Sequence, residues 1–306
     1  MGEAVLALVG PTCTGKSGVA FGLARKLGCA VLSADSMQVY RGMDIGTGKA
    51  FDDRSGVRVF GIDLVGPNEP YSAALFQEYG RRVVAEELER CGRIIICGGT
   101  GFYVRALLDD MDFAPGEQIG NPVREKYTRL LAEEGPEAVW EALRAVDEAS
   151  AASVHPNNVK RVIRALEMAE AGESYAVRAE AFSGIAESIP ATYVMFDLPR
   201  AELYARINAR VDAMMTAGLV DEVRSLLEAG LAENSTARAA IGYKEIVASL
   251  AGECSLDEAV DAIKQATRRF AKRQISWFKR DDRIVHLDGL APEEERLAEV
   301  ESIWLS

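Results

Sequence analysis

The chain has 306 residues, 48% of them hydrophobic and 27% charged, with 35 Lys and Arg against 47 Asp and Glu for a formal net charge of −12. That profile provides ample apolar material for a core and excludes collagen-like, disordered and low-complexity chains. No window holds the ~18 consecutive apolar residues of a membrane span, and five cysteines without a CxxC pair beside two histidines exclude a zinc constellation and read as reduced thiols.

In chain order, the apolar run Ala4–Val9, closed by Gly10, suits a strand buried on both faces of a parallel sheet. Val19, Leu23 and Leu27 then recur at helical spacing, with Gly28 as a stop. Ala30–Leu32 reads as a second strand and Val57–Leu64 as a third. Tyr71–Arg90 reads as a helix with Leu75, Tyr79 and Val83 on one stripe, and Arg93–Cys97 as a fourth strand halted by Gly98 and Gly99. The next strand is Thr192–Phe196. The gap before it is far longer than a helical crossover requires, and it carries helical spacing over Val123–Glu133, Pro136–Val146 and Asn158–Ala171. Beyond Phe196, helices are expected over Arg200–Ala217, Val220–Ala229 and Leu256–Trp277, followed by a short strand at Ile284–Leu287.

Gly10-Pro11-Thr12-Cys13-Thr14-Gly15-Lys16-Ser17 fits G-x-x-x-x-G-K-S/T between a strand and a helix. Its backbone amides and helix N-terminus suit a di- or triphosphate, Lys16 can neutralise phosphate oxygens, and Ser17 can hold Mg²⁺. The expected fold is therefore α/β, a P-loop NTPase-like doubly wound parallel sheet. Residues 1–114 and 191–306 would form this catalytic core, and 115–190 a small all-helical insertion domain.

Asp35 follows the second strand, at the carboxyl edge where such sheets place their sites. Position alone leaves it open as a magnesium partner, a general base or a solvated strand-end cap. Gly98-Gly99-Thr100-Gly101 adds amides and a hydroxyl to the same rim. The acidic balance argues against indiscriminate polyanion binding, yet Lys264–Arg283 holds eight Lys and Arg against two Asp, a local positive cluster. The missing basic leader argues against a signal peptide, so a cytoplasmic location without membrane attachment is expected. Nothing in the sequence requires more than a monomer.

Several segments together resemble the tRNA dimethylallyltransferase (tRNA isopentenyltransferase) family: Gly10–Ser17, Ser33–Lys49, Gly98–Tyr103, Asn158–Glu167, Ile241–Glu245 and Ala271–Phe278. The resemblance implies transfer of a dimethylallyl group from dimethylallyl diphosphate to the exocyclic amine of the adenosine 3′-adjacent to the anticodon, with release of pyrophosphate. The P-loop, Gly10 to Ser17, would then hold the donor's diphosphate instead of ATP. By the same resemblance Asp35 takes a proton from the attacking amine, Thr100 orients the pyrophosphate or amine, and Arg210 clamps the leaving group.

The target base must leave the anticodon stack to be reached. Asp35, Ser36, Met37 and Gln38 would contact it, with Gly101 and Val123 lining the entrance. Lys160, Arg161, Val162, Ile163 and Arg164, together with Ala239, Ala240, Ile241, Gly242, Tyr243 and Lys244, would grip the tRNA anticodon arm. The rival readings are an adenylate isopentenyltransferase acting on free nucleotide, an ATP-dependent small-molecule kinase, and a non-catalytic RNA chaperone.

Overall fold

The structure is a computed structural model that describes residues 4–49, 56–113, 121–181, 184–233 and 235–306. Strand β1 (Val5–Val9) leads to helix α1 (Lys16–Leu27), then β2 (Ala30–Ser33), β3 (Val59–Phe60), α2 (Ala73–Cys91), β4 (Ile94–Gly98) and α3 (Gly101–Leu108). Helices α4 (Pro122–Glu134), α5 (Pro136–Val146), α6 (Glu148–Ser153), α7 (Val159–Glu170) and α8 (Tyr175–Ala181) follow. The chain then forms β5 (Ala191–Asp197), α9 (Arg200–Thr216), α10 (Leu219–Glu228), α11 (Tyr243–Leu250), α12 (Leu256–Phe278), β6 (Ile284–Asp288) and α13 (Glu293–Leu305).

The strands pair in the order β3-β2-β4-β1-β5-β6, every pairing parallel. Both β1 and β4 are buried throughout, which is why their sequences run continuously apolar instead of alternating. Their side chains still alternate between two cores. Val5, Ala7, Val9, Ile94 and Ile96 pack with Phe76 and Tyr103 on one face, whereas Leu6, Leu8 and Ile95 pack with Val19, Leu23 and Trp304 on the other. Register sets Cys97 opposite both Leu8 and Ser33, and Gly98 opposite Val9. The loops after β1, β2 and β4 therefore leave the sheet side by side at its carboxyl edge.

Three readings are corrected. The third strand shrinks to Val59–Phe60, because Gly61 (φ 79°) and Asp63 (φ 53°) leave the extended region immediately afterwards. In α2 the buried stripe is Phe76, Gly80, Val83, Val84 and Glu87, while Leu75 is 46% exposed. The stacking of Phe76 on Tyr103, with ring centroids 4.3 Å apart, fixes that phase. Helices α3, α6, α8, α11 and α13 were not expected; most are short, and α13 opens on an acidic run that reads as solvated surface.

The chain divides into two compact units, Met1–Leu108 with Ser188–Ser306, and Asp109–Glu187. Of the limits expected for the insertion, residue 115 lies outside the described residues. At the other end the α/β unit resumes at Ser188, where the amides of Ser188 and Ile189 both donate to the Leu108 carbonyl (2.8 and 3.0 Å). The helical unit has its own core of Tyr127, Val139, Leu143, Val162, Ile163 and Leu166. Prolines at the first turns of α4 and α5 and an Asn121 cap on the Val123 amide start its helices. Among the described residues no helix is long and apolar enough to cross a membrane.

Candidate active site

Between β1 and α1 the backbone winds tightly. Gly10 (φ 113°) and Gly15 (φ 84°) adopt left-handed conformations, and so does Cys13 (φ 66°). At Gly10 a Cβ would lie 2.6 Å from Met195 Cγ, so glycine is required there on steric grounds as well. The Thr14 hydroxyl (3.1 Å) and the Lys16 ammonium (2.5 Å) both donate to the Pro11 carbonyl. Lys16 is buried, and that burial pulls its pKa below the usual lysine value. The nearby Arg210 guanidinium acts in the same direction, while Cys97, Cys13 and the Asp35 carboxylate oppose it. A basic group under that pressure gains from a neighbouring anion. Ser17, exposed on the first turn of α1, hydrogen-bonds the Cys97 side chain at the end of β4.

The next two loops complete the rim. Asp35 is half-buried after β2, and its Oδ1 accepts the Met37 amide at 2.9 Å. Thr100 Oγ1 accepts the Ser36 amide (3.0 Å) and donates to Ser36 Oγ (3.3 Å), while the Thr100 amide donates to the Ala34 carbonyl (3.2 Å). The loops carrying Asp35 and Thr100 are thus tied together. Gln38 is buried; Ser33 Oγ donates to its Oε1 (2.7 Å), and its Nε2 donates to the Thr47 carbonyl (3.2 Å). Arg210, on α9, donates to that same Thr47 carbonyl (3.3 Å). Lys16, Asp35, Thr100 and Arg210 therefore belong to one connected cluster.

Three residues in this scaffold were given no role by the sequence. Gln274, buried on α12, accepts the Thr12 amide (3.2 Å) and donates to the Gly99 carbonyl (2.9 Å), joining the P-loop to the loop after β4. Its signal was a polar residue on the buried stripe Ala271, Gln274 and Phe278. Glu222 on α10 accepts the amides of Asp44 (3.0 Å), Ile45 (2.7 Å) and Gly46 (3.1 Å), fixing the loop that presents Thr47. Arg296 on α13 donates to the Thr14 carbonyl at 2.9 Å. Neither of the last two has a local sequence signal, because each contact spans well over a hundred residues.

A family model described as IPP transferase matches residues 38–281, and one described as isopentenyl transferase matches residues 3–60. The chain is 42% identical over 302 residues to the tRNA dimethylallyltransferase of Carboxydothermus hydrogenoformans, covering 98% of this chain and 96% of the relative. The chain belongs to the tRNA dimethylallyltransferase family. A solved tRNA delta(2)-isopentenylpyrophosphate transferase from Staphylococcus epidermidis matches with a TM-score of 0.71 and 34% identity over 98% of both chains. A eukaryotic dimethylallyltransferase acting on tRNA matches with a TM-score of 0.77 and 26% identity, over 94% of this chain and 74% of that one.

The tRNA contacts implied by resemblance to the dimethylallyltransferases divide by burial. Lys160, Arg161, Ala239 and Lys244 are exposed, and Ser36, Met37, Val123 and Ile241 are half-buried. Arg164 is half-buried and paired to Glu167 at 3.1 Å. Asp35 is half-buried, and Gln38 and the remaining positions are buried. Val162 and Ile163 are core residues of the helical unit, Ala240 is buried in the α/β unit, and Gly242 is buried at the start of α11. Tyr243 is fully buried, its hydroxyl donating to Glu222 Oε1 at 2.6 Å; burial and that carboxylate push its pKa far above the usual phenol range. Gly101 is buried as well, and a Cβ there would strike the Trp277 ring at 2.1 Å.

The positive cluster takes on a shape that the dimethylallyltransferase motifs alone do not give. Arg269, Lys272, Arg273, Ser276, Trp277 and Arg280 line one open groove of about 430 Å³ along α12. Trp277, 38% exposed, meets Phe102 edge-on at 6.4 Å. Gln274 lies on the same helix, so the basic face begins beside the loop after β4.

Proposed function

We propose that this chain transfers the dimethylallyl group of dimethylallyl diphosphate to the N6 amine of the adenosine 3′-adjacent to the anticodon in tRNA, releasing pyrophosphate. The observation that carries this reading is the connected cluster of Lys16, Arg210, Asp35 and Thr100 at the ends of three adjacent strands, which sets an anion cradle beside a carboxylate. The α12 groove supports an RNA acceptor, because guanidinium and ammonium groups interleaved with an exposed indole suit phosphates and an unstacked base. The family's named activity on tRNA favours it over a free nucleotide.

In the reaction, the adenine amine attacks the first carbon of the donor while the bond from that carbon to the diphosphate oxygen breaks. The departing pyrophosphate takes the electron pair. Lys16, Arg210 and the P-loop amides are positioned to meet the charge that grows on it. Asp35 takes the amine proton, which matters because an amine delocalised into a purine ring is a weak nucleophile. Thr100 holds the loop of Asp35 in register.

Mg²⁺, when bound, would neutralise the diphosphate. The Ser17 hydroxyl is the group that would approach it. Among the described residues no cluster of three His, Cys, Asp or Glu side chains could cage a metal, so phosphate and water oxygens would complete its shell, as magnesium prefers.

The test is incubation with Mg²⁺, labelled dimethylallyl diphosphate and either unmodified tRNA or AMP. Label on the adenosine beside the anticodon is expected. Label only on AMP, phosphate moving from ATP, or retention of tRNA without turnover would each overturn the reading.

A further inference from the structure

We propose that Arg296, on the C-terminal helix α13, is a positioning residue that pre-forms the diphosphate cradle, an inference that rests on the β1–α1 loop being the donor site. It lies beyond residues 38–281 matched by the IPP transferase model. The residue is 7% exposed, and its guanidinium rests 5.0 Å over the Phe196 ring and donates from Nη1 to the Thr14 carbonyl at 2.9 Å. Its Nε is buried without a partner among the described residues, and no carboxylate there pairs with it.

Two geometric facts tie this side chain to the loop. A trans peptide is planar, with its carbonyl and its amide on opposite edges. Holding the Thr14 carbonyl toward α13 therefore turns the Gly15 amide away from α13 and fixes it as a donor in the loop. Gly15, for its part, leaves room for the guanidinium, since a Cβ there would lie 2.6 Å from Nη1 and 3.1 Å from Nη2. The same α1 face continues with Gly18 against Glu293 and Gly22 against Leu297, where a Cβ would come within 2.5 Å in each case. The close approach of α13 to α1 thus brings a buried positive charge, in ion-pair contact with no carboxylate among the described residues, directly beneath the phosphate loop. A bound diphosphate supplies the missing counter-charge, and the loop needs no rearrangement to receive it.

Calorimetric binding of inorganic pyrophosphate to the full chain in Mg²⁺ buffer tests this, together with the separate KM values for donor and tRNA. Absence of binding to the wild type would overturn the cradle reading and this inference with it. Given wild-type binding, Arg296→Met is expected to weaken pyrophosphate by about tenfold or more, the scale of a lost charged hydrogen bond. The donor KM should rise with it, and tRNA affinity should stay within about twofold. Arg296→Lys keeps the charge but loses the planar fork, and should still weaken pyrophosphate by about threefold or more. Leu297→Ala, which loosens the same helix contact without touching the guanidinium, should lower Tm and leave pyrophosphate binding intact. Unchanged affinity in Arg296→Met overturns the inference, and so does an equal loss in Leu297→Ala. If Arg296→Met does not fold, Arg296→Lys decides by the same criterion.

Discussion

The two units of this chain bury polar side chains to different ends. In the helical unit the buried acid Glu167 takes Arg124 Nε (2.5 Å) and Arg164 Nη1 (3.1 Å), and Asp147 takes the hydroxyl of Ser174 (2.8 Å) and the amide of Ser150 (3.0 Å). Both of these acids meet an opposite charge or a hydroxyl. In the α/β unit Lys16, Arg210 and Arg296 each donate to a loop carbonyl, of Pro11, Thr47 and Thr14 respectively. A carbonyl orients a cation without neutralising it. The Glu167 and Asp147 networks are therefore closed, as is the buried Glu87 with Arg58 and Arg90 in the α/β unit, whereas the cluster around Asp35 keeps positive charge in reserve, for an anion to claim. That contrast separates a polar network that stabilises from one that serves a ligand.

The largest break in the comparison is expected from Asp35→Asn. If the carboxylate takes the amine proton, turnover should fall by about two orders of magnitude or more, the scale of general-base catalysis. Binding of tRNA should persist in a filter or fluorescence assay. Turnover near that of the wild type would remove Asp35 from the chemistry. Next in size is a matched pair of deletions. Gln274→Leu leaves the Thr12 amide and the Gly99 carbonyl without their partner, and Glu167→Ala releases Arg124 and Arg164. Each should cost about 1–3 kcal/mol of stability by denaturant titration. The prediction with content is the divergence: pyrophosphate affinity should drop several-fold in Gln274→Leu and stay put in Glu167→Ala. If both variants lose it alike, the two networks do not differ as argued.

How much of this was legible in the sequence follows from the range of each interaction. Buried parallel strands such as Val5–Val9 and Ile94–Gly98 announce themselves as unbroken apolar runs, and Lys16 and Ser17 stand in a motif whose spacing is set by the loop they close. Asp35 and Thr100 were visible because a doubly wound sheet brings the ends of its strands to one edge. What was hidden depends on tertiary partners. The phase of α2 is decided by Tyr103 on another helix, and the role of Glu222 by backbone amides 176 to 178 residues away. Arg296 stands in an acid-rich stretch with nothing local to distinguish it. Motif resemblance also assigned whole segments to RNA, although within Lys160–Arg164 helical periodicity sends Val162 and Ile163 inward and leaves only Lys160 and Arg161 exposed.

That last point gives a smaller, graded test. The Lys160→Ala, Arg161→Ala double variant removes two exposed cations from α7 without touching the closed Glu167 network. If both meet phosphates, tRNA binding should weaken and its log–log salt slope should flatten by about 0.7 to 0.9 per contact. Donor affinity should hold. A parallel loss of donor affinity would mean that the helical unit does more than grip RNA.

The smallest effect expected concerns acid. Burial raises the Asp147 pKa, but hydrogen bonds from Ser150, Ser174 and the Ala149 amide outweigh it and hold the carboxyl below its usual value. As pH falls, the unfolded chain takes up the proton first, near the ordinary aspartate pKa of about 3.9. The stability that Asp147 contributes is therefore complete above that value and is lost as pH falls through the lower, folded one. Asp147→Asn keeps an N-cap of similar quality on α6, so at pH 7 the loss should stay under about 1 kcal/mol. Below pH ~4 the variant and the wild type should converge. The indole N–H of Trp140, which donates to the Ala151 and Val154 carbonyls (3.1 and 2.9 Å), offers an NMR probe inside this unit. A gap between the two proteins that widens on acidification would show that the Asp147 carboxylate is not what makes this network sensitive to pH.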